Sequence, residues 1–453
     1  MADVIAAAAT APQASAIGVV RLSGDGCIAL TEKVFTARSG RPLSEQKDRT
    51  LTLGTLHDAQ GRVIDEVLAT VSHAPNSYTG EDTAELQCHG SPAVLAAALE
   101  ALFSHGARQA LPGEFTKRAF LNGRMDLTQA EAVIDLIDAQ TADAAANAAG
   151  QVGGALTKKL DPIYAKLVDV LAHFHAVLDY PDDDVPPFET EAARETIRSC
   201  GETLAALAET FSRGQVLKNG VRAAIIGAPN AGKSSLLNAL AGYERVIVTD
   251  IAGTTRDTVE EPIRLGKTLL RLIDTAGIRR TADAVESIGV ERAKKAAEEA
   301  ELAIFVCDGS RPLTEEDRAA MQEAKRAKRV IAVINKLDLP AVVRAEELPF
   351  ARVLTVSART GDGLSELERT VAELLGSDAP CDGSILTNAR QHGAVRAAAD
   401  ALKRALEAMD AGISPDAVLL DAEQALERLG EVTGKQMREE VVSRIFERFC
   451  VGK

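Results

Sequence analysis

The stretch Ile225-Ile226-Gly227-Ala228-Pro229-Asn230-Ala231-Gly232-Lys233-Ser234-Ser235 decides the fold. It is a G-x-x-x-x-G-K-S loop, preceded by the apolar run Val221 to Ile226 and followed by the helix-like Leu236-Leu237-Asn238-Ala239-Leu240. Strand, glycine loop and helix in that order make a phosphate cradle. The glycines let the loop curl so that successive backbone N–H groups face the phosphates, and the positive end of the following helix adds to them. Asn230, Ala231, Gly232, Lys233, Ser234 and Ser235 are therefore expected to line a nucleotide. Lys233 can reach the β- and γ-phosphates as a catalytic charge, and the Ser234 hydroxyl can hold Mg²⁺. A glycine-rich turn is the bland alternative, and the flanking strand and helix argue against it.

Outward from this loop, residues 218–377 alternate strand and helix patterns, which predicts a doubly wound, mainly parallel sheet with helices on both faces. Leu269 to Ile273 reads as a strand entering Asp274-Thr275-Ala276-Gly277, where the Asp can hold Mg²⁺ through water and the Gly amide can face the γ-phosphate. Leu302 to Cys307 is a further strand. Val330 to Ile334 leads into Asn335-Lys336-Leu337-Asp338, and Val353 to Val356 into Ser357-Ala358-Arg359. The Asp338 carboxylate can accept both N–H groups of a guanine edge, while Asn335 and the Ala358 amide address the other edge. Adenine offers no such donor pair, so the ligand is GTP. The motifs in this order, each at a strand end, predict a Ras-like P-loop GTPase domain.

Two features of that domain need chemistry of their own. Regulatory GTPases place a water-orienting Gln after the switch glycine, but here Ile278 follows Gly277. An apolar side chain cannot orient water, and Glu286, within loop reach, is the candidate catalytic group. Thr249-Asp250-Ile251-Ala252-Gly253-Thr254-Thr255-Arg256-Asp257 is the natural first switch, with hydroxyls and carbonyls able to circle a cation. Thr255 is the candidate second Mg²⁺ ligand.

With 453 residues, the chain has room for two to four domains. Hydrophobic residues make up 46% with no Trp, so the cores must be aliphatic and Ala-rich. The net charge of −15 excludes a protein that coats nucleic acid indiscriminately. Six cysteines stand far apart with neither a C-x-x-C pair nor metal spacing, as expected of reduced thiols in a cytoplasmic protein. No apolar run reaches membrane length.

Residues 1–118 read as a mixed α and β domain, with strands at Ala16 to Leu22 and Glu85 to Cys88, a helix over Ser91 to Phe103, and a turn cluster at Ser77 to Asp82. Arg21, Glu85 and His89 are polar groups at strand ends. Ala-rich, helix-period sequence fills 119–217, broken by the acidic connector Pro181 to Pro187, and returns over 378–453. A nucleotide domain inserted into a helical domain is the economical inference, with junctions near Asn219-Gly220 and Gly376-Ser377. The whole is a multidomain α/β protein.

The chain resembles the tRNA modification GTPase family called MnmE or TrmE. Gly253-Thr254-Thr255-Arg256-Asp257, Asp274 to Gly277 with Glu286, and the closing Cys450-Val451-Gly452-Lys453 carry the resemblance. Ser77 to Asp82, Pro112-Gly113-Glu114-Phe115 and Arg118-Ala119-Phe120-Leu121-Asn122 extend it across the chain. It implies an N-terminal α+β domain that binds folate and forms a homodimer, a split all-helical domain, and the inserted GTPase domain. It also implies a partner of the FAD- and NADH-using MnmG type, and tRNA as the object of the chemistry. Together they would add an aminomethyl or carboxymethylaminomethyl group to C5 of the wobble uridine, using a tetrahydrofolate one-carbon derivative. The resemblance further implies a K⁺ held by Asn230, Thr249, Ile251 and Thr254, with Glu286 positioning the attacking water. Arg21, Glu85, Arg124 and Lys453 would serve the folate, and Cys450 would be a functional thiol. The chain departs from the family pattern at Cys88-His89-Gly90-Ser91, at Arg124 where Lys is common, and at Pro12-Gln13-Ala14. A ribosome-assembly GTPase is the competing reading, since several share these switch motifs. It would carry an RNA-binding module such as a KH domain, and the sequence after Gly376 has no G-x-x-G loop on a βα pattern.

Overall fold

The computed structural model describes residues 3–179, 190–243, 261–273, 294–376, 381–413, 415–435, 445–446 and 449–452. The chain divides into two compact units. Met1–Ile134, Leu160–Glu189 and Glu407–Lys453 form one, and Asp135–Lys159 with Thr190–Leu406 form the other. Each holds one sheet and a share of the helical sequence.

The first unit is built on seven strands: β1 (Ile5–Ala8), β2 (Ile17–Ser23), β3 (Phe35–Ala37), β4 (Thr52–His57), β5 (Val63–Ser72), β6 (Thr83–His89) and β7 (Arg108–Gln109), in the order β3-β4-β5-β6-β2-β1-β7. Every pairing is antiparallel except β1 with β7. Alternation along each strand sorts its side chains. Ala84, Leu86 and Cys88 of β6 turn inward with Val67, Ala69 and Val71 of β5, and the helix Pro92–Ser104 covers them with Leu95, Ala98, Ala101 and Leu102. Burying one of these larger apolar side chains is worth about 1.5–3 kcal/mol. The helix opens on an extended Ser91 with Pro92 in its first turn, where a missing N–H costs nothing. It lies so close to β2 that a Cβ on Gly18 would sit 2.8 Å from Leu95.

Residues Leu111–Asn122 fasten to this sheet through charge. Glu114 accepts from Arg108 (2.5 and 2.8 Å), from the Leu111 amide (2.8 Å) and from Arg118 (3.0 Å). Arg118 also reaches Glu81 and Asp3. Burial alone would push the Glu114 carboxyl up, but Arg108, the Leu111 amide and Arg118 outweigh it and hold it below the ordinary value. A carboxyl depressed in the folded state stabilises fully above its unfolded pKa, and that stability is lost as pH falls through the folded value. Glu114→Gln is expected to cost about 2 kcal/mol in urea unfolding at pH 7, since both arginines lose one of their countercharges. It is also expected to flatten the loss of stability seen in the parent below about pH 4.5. Equal acid sensitivity in the two proteins would refute the role.

The second unit is built on β8 (Val221–Ile226), β9 (Glu261–Leu265), β10 (Thr268–Leu272), β11 (Leu302–Asp308), β12 (Arg329–Asn335) and β13 (Val353–Val356), in the order β13-β12-β11-β8-β10-β9. All pairs are parallel except the β9–β10 hairpin, as the alternating pattern predicts. Its central strands read as continuous apolar runs because both faces are covered. Ala223, Ile225, Ile304, Val306 and Val333 face the helices Lys233–Tyr243 and Leu364–Leu375. Ala224, Ile226, Phe305, Cys307 and Ala332 face the helix Glu315–Ala324 and helical residues 294–299. The first strand, β8, lies between β10 and β11, so the chain leaves it toward both sides of the sheet. Ligands of open α/β sheets bind at such a switch point, beyond the carboxyl ends of the strands.

The helices Ala142–Val152, Thr190–Glu209, Phe211–Asn219 and Ala389–Asp410 belong wholly or largely to the second unit. There the segments before β8 and after residue 381 run together. Asn147 and Gln151 donate to the Ile385 carbonyl, Gln215 donates to that of Thr387, and Asp135 takes both Lys218 (2.6 Å) and the Thr387 hydroxyl (2.9 Å). Within this unit, segments from the two sides of the phosphate loop thus pack together. The connector at Pro181 to Pro187 lies outside the described residues, as does most of the helix expected over Gln436 to Phe449; residues 445–446 are helical.

Candidate functional site

The loop after β8 has the geometry that its glycines dictate. Gly227 passes so close to β11 that a Cβ there would fall 2.2 Å from the Val306 carbonyl oxygen. Gly232 has φ of +93°, and a Cβ would fall 2.1 Å from Asn335 Nδ2. Neither position admits another residue without moving backbone or the base-reading loop. Asn230 sits at φ +60°, a left-handed conformation that asparagine tolerates better than most side chains. Lys233 and Ser234 open the helix that follows, with Ser234 and Ser235 exposed.

Lys233 Nζ donates to the carbonyls of Gly227 and Ala228, both at 2.8 Å. The ammonium therefore lies across the mouth of the loop, where phosphate oxygens can replace those carbonyls. Burial pulls its pKa below the ordinary lysine value, and Asp317 opposes that shift. An acceptor with formal charge would restore it, which fits a phosphate-binding lysine.

The base-reading motifs converge on the same loop. Asn335 is 2% exposed. Its Nδ2 donates to the Ala231 carbonyl (3.1 Å), and its Oδ1 accepts from the Ala358 amide (3.1 Å). The sequence pointed Asn335 and the Ala358 amide at the base; here the two bond to each other, and Asn335 staples the phosphate loop, the Asn335–Asp338 turn and the Ser357 turn together. Asp338 accepts from the Ser357 hydroxyl at 2.7 Å through Oδ1, and its Oδ2 lies 3.7 Å from Arg359. The Ser357 bond holds its carboxyl below the ordinary aspartate value, with Arg359 and Lys336 adding to it, so the acceptor stays ionised at neutral pH. Ser234, at the end of the loop, is the described Mg²⁺ candidate, and the glycine cradle, which no Cβ could share, fits a phosphate beside it. Thr249, Asp250, Ile251, Ala252, Gly253, Thr254, Thr255, Asp274, Thr275, Ala276, Gly277 and Glu286 lie outside the described residues.

In the first unit, Arg21 and Glu85 stand opposite each other on β2 and β6 and pair at 2.7 Å. The Arg21 guanidinium lies 5.6 Å from the Tyr78 ring centroid and 5.9 Å from that of Phe115. Tyr78 in turn bonds Thr116 at 3.0 Å. Arg124 is exposed and lies against the same turn, where a Cβ on Gly80 would meet its stem at 3.1 Å. The turn cluster Ser77 to Asp82 therefore collects Arg21 and Arg124 from distant segments. His89 is held by Asp65, through both its ring Nδ1 and its backbone N–H at 2.8 Å, at the other end of β6. Cys450 is exposed; its carbonyl accepts from Gly113, and Val451 pairs with Pro112. Phe446 and Phe449 anchor that tail against Leu127 and Ala130. Lys453 lies outside the described residues.

Models of two protein families match the chain: the "GTP-binding protein TrmE N-terminus" over residues 4–124 and the "MnmE helical domain" over residues 127–450. The chain belongs to the MnmE (TrmE) family. Among curated MnmE proteins, each named "tRNA modification GTPase MnmE", that of Roseiflexus sp. (strain RS-1) is 43% identical, across 100% of this chain and 99% of its own length. Those of Thermoanaerobacter sp. (strain X514) and Aquifex aeolicus are each 42% identical over 100% of this chain, covering 99% and 100% of their own. As a member of the MnmE family the chain is a GTPase acting in tRNA modification, with GTP and Mg²⁺ as ligands and tRNA as the modified molecule. The G domain of the T. maritima FeoB iron transporter is 28% identical over 34% of this chain and 97% of its own, with a TM-score of 0.26. Among the described residues, no helix is long and apolar enough to cross a membrane.

The sequence reading missed Asp308, Arg311 and Asp317, which flank the guanine loop. Only Asp317 had a legible signal: Thr314 and Asp317 have the three-residue spacing of a capping box, and they form one. The Glu114 network, by contrast, joins residues more than a hundred positions apart, and no local pattern announces it.

Proposed function

We propose that the chain is the GTP-hydrolysing and folate-binding subunit of a complex that builds an aminomethyl or carboxymethylaminomethyl group on C5 of the tRNA wobble uridine. The observation that carries the nucleotide half is the Asn335 staple with an ionised Asp338 beside it. In this reading, the Asp338 carboxylate accepts the two guanine N–H groups, and the loop from Asn230 to Ser235 offers its amides to the phosphates. Lys233 leaves its own carbonyls for the β- and γ-phosphates, and Ser234 and Thr255 hold Mg²⁺. Ile278 leaves the switch without a polar group, so Glu286 positions the attacking water. Asn230, Thr249, Ile251 and Thr254 hold K⁺, which supplies positive charge to the transition state.

Four segments divide the labour: an N-terminal folate-binding and dimerisation domain (1–118), helical parts at 119–217 and 378–453, and the GTPase domain between them (218–377). Arg21, Glu85 and Arg124, with Lys453, receive a tetrahydrofolate one-carbon derivative. The ring-flanked Arg21–Glu85 pair supports this, because a flat heterocycle needs both a stacking surface and a hydrogen-bonding edge. Cys450 is a functional thiol whose exposure leaves it accessible. The protein works in the cytoplasm as a homodimer with an FAD- and NADH-dependent MnmG-type partner. The K⁺ assignment is tested by steady-state hydrolysis in matched KCl and NaCl. Turnover is expected to be at least about tenfold faster in KCl, the gain from one well-placed charge; equal rates would remove K⁺ from the account.

A further inference from the structure

The guanine loop has a charged support that the nucleotide motifs do not include. β11 ends at Asp308, whose register partner on β12 is Asn335. The turn after Asp308 is pressed against the guanine loop: Gly309 N–H donates to the Asn335 carbonyl at 2.9 Å, and a Cβ on Gly309 would fall 2.6 Å from Ile334. Asp308 is 6% exposed and divides its carboxylate between two tasks. Oδ1 accepts from the Ser310 amide (2.9 Å) and hydroxyl (2.6 Å), which fixes its rotamer; Oδ2 takes Lys336 Nζ at 2.5 Å. Arg311 stands 3.8 Å from that same Oδ2 and bonds the buried Asp317 at 2.8 Å, so Asp308 is held from behind.

Lys336 needs such a hold. Its φ of +70° is left-handed, a conformation that non-glycine side chains disfavour. Its four-carbon stem would otherwise sweep through many rotamers. It sits between Asn335, which staples the phosphate loop, and Asp338, which lies at the base edge. The tie to Asp308 fixes the course of the stem, from the guanine loop to the end of β11.

We propose that Asp308 is a positioning residue for guanine-nucleotide retention: by anchoring the Lys336 ammonium, it sets the lysine stem as a fixed wall of the base pocket. The proposal rests on the guanine site described under Proposed function. Without the anchor, the stem is free to swing and the pocket loses a wall, so bound nucleotide escapes faster. The ligand involved is the purine face of GDP or GTP, not the phosphates.

The test is release of a fluorescent GDP from the full-length protein, chased with excess GDP, for Asp308→Asn, Lys336→Met and the double variant. Asparagine keeps the size of the side chain and an oxygen for Ser310 while removing the charge. Each single variant is expected to release GDP about tenfold faster, and the double variant no faster than Lys336→Met alone, because both substitutions remove one interaction. Release from Asp308→Asn at the parental rate, or additive effects in the double variant, would overturn the proposal. If Asp308→Asn does not fold, Lys336→Arg replaces it. Arginine keeps a cation for Asp308 and is expected to release GDP within about threefold of the parent, whereas release as fast as from Lys336→Met would refute the anchor. An Asp338→Asn protein that still holds GDP as the parent does would point instead to failure of the guanine site itself.

Discussion

Glu286→Ala is expected to lose GTP turnover by about 10²- to 10⁴-fold, the range that a positioned acid–base or water-orienting group contributes, while GTP affinity stays near that of the parent. The reasoning starts from Ile278, which follows the switch glycine where a polar side chain would orient water. Hydrolysis still requires water in line with the γ-phosphate, and Glu286, a carboxylate within loop reach of that glycine, is proposed to hold it. In the proposed role it meets neither the base nor the phosphates, so binding and turnover are expected to separate. Single-turnover hydrolysis together with equilibrium binding of a fluorescent GTP analogue measures the two apart. Loss of both would make Glu286 a binding residue, and retention of both would move the water-positioning role elsewhere.

Asp338→Asn is expected to weaken GTP binding on the order of 10²- to 10³-fold. A site built to pair with a donor edge rejects ligands strongly when one partner is removed. The Ser357 hydroxyl bond keeps the carboxyl ionised and fixed, so the parent offers two aligned acceptor oxygens. An asparagine offers one acceptor and one donor, and the donor meets a guanine N–H. Xanthine carries a carbonyl at that position, and XTP is therefore expected to bind the variant better than GTP does. Calorimetric titration with GTP and XTP reads both changes. A variant preferring GTP with parental affinity would contradict guanine reading by this residue.

How much of this was legible in the sequence follows from the range over which each feature acts. The phosphate loop was legible because its constraints are local: Gly227 and Gly232 have no room for a side chain, and the strand before and helix after are fixed by a few neighbouring residues. The parallel sheet followed from strands whose apolar runs match burial on both faces. The Asn335 staple was half legible. The motif places it on a strand end, but its partners at Ala231 and Ala358 are visible only once three loops meet. The Arg21–Glu85 pair was legible as two strand-end charges, and its aromatic flanks were not, since Phe115 arrives from a helix more than ninety residues away from Arg21. Asp308 went unread for a simple reason. An Asp at a strand end is ordinarily a solvated turn residue, and its burial and the 2.5 Å contact with Lys336 distinguish it only in the fold.

GTP hydrolysis by this chain is proposed to serve tRNA wobble-uridine chemistry. Mass spectrometry of nucleosides from digested tRNA tests it most directly, comparing a strain lacking the gene with the same strain carrying either the intact gene or Asp338→Asn. C5-aminomethyl-type uridines are expected to disappear on deletion, return with the intact gene, and fail to return with Asp338→Asn. An unchanged nucleoside profile on deletion would contradict the modification role, and full recovery with Asp338→Asn would uncouple that chemistry from guanine recognition.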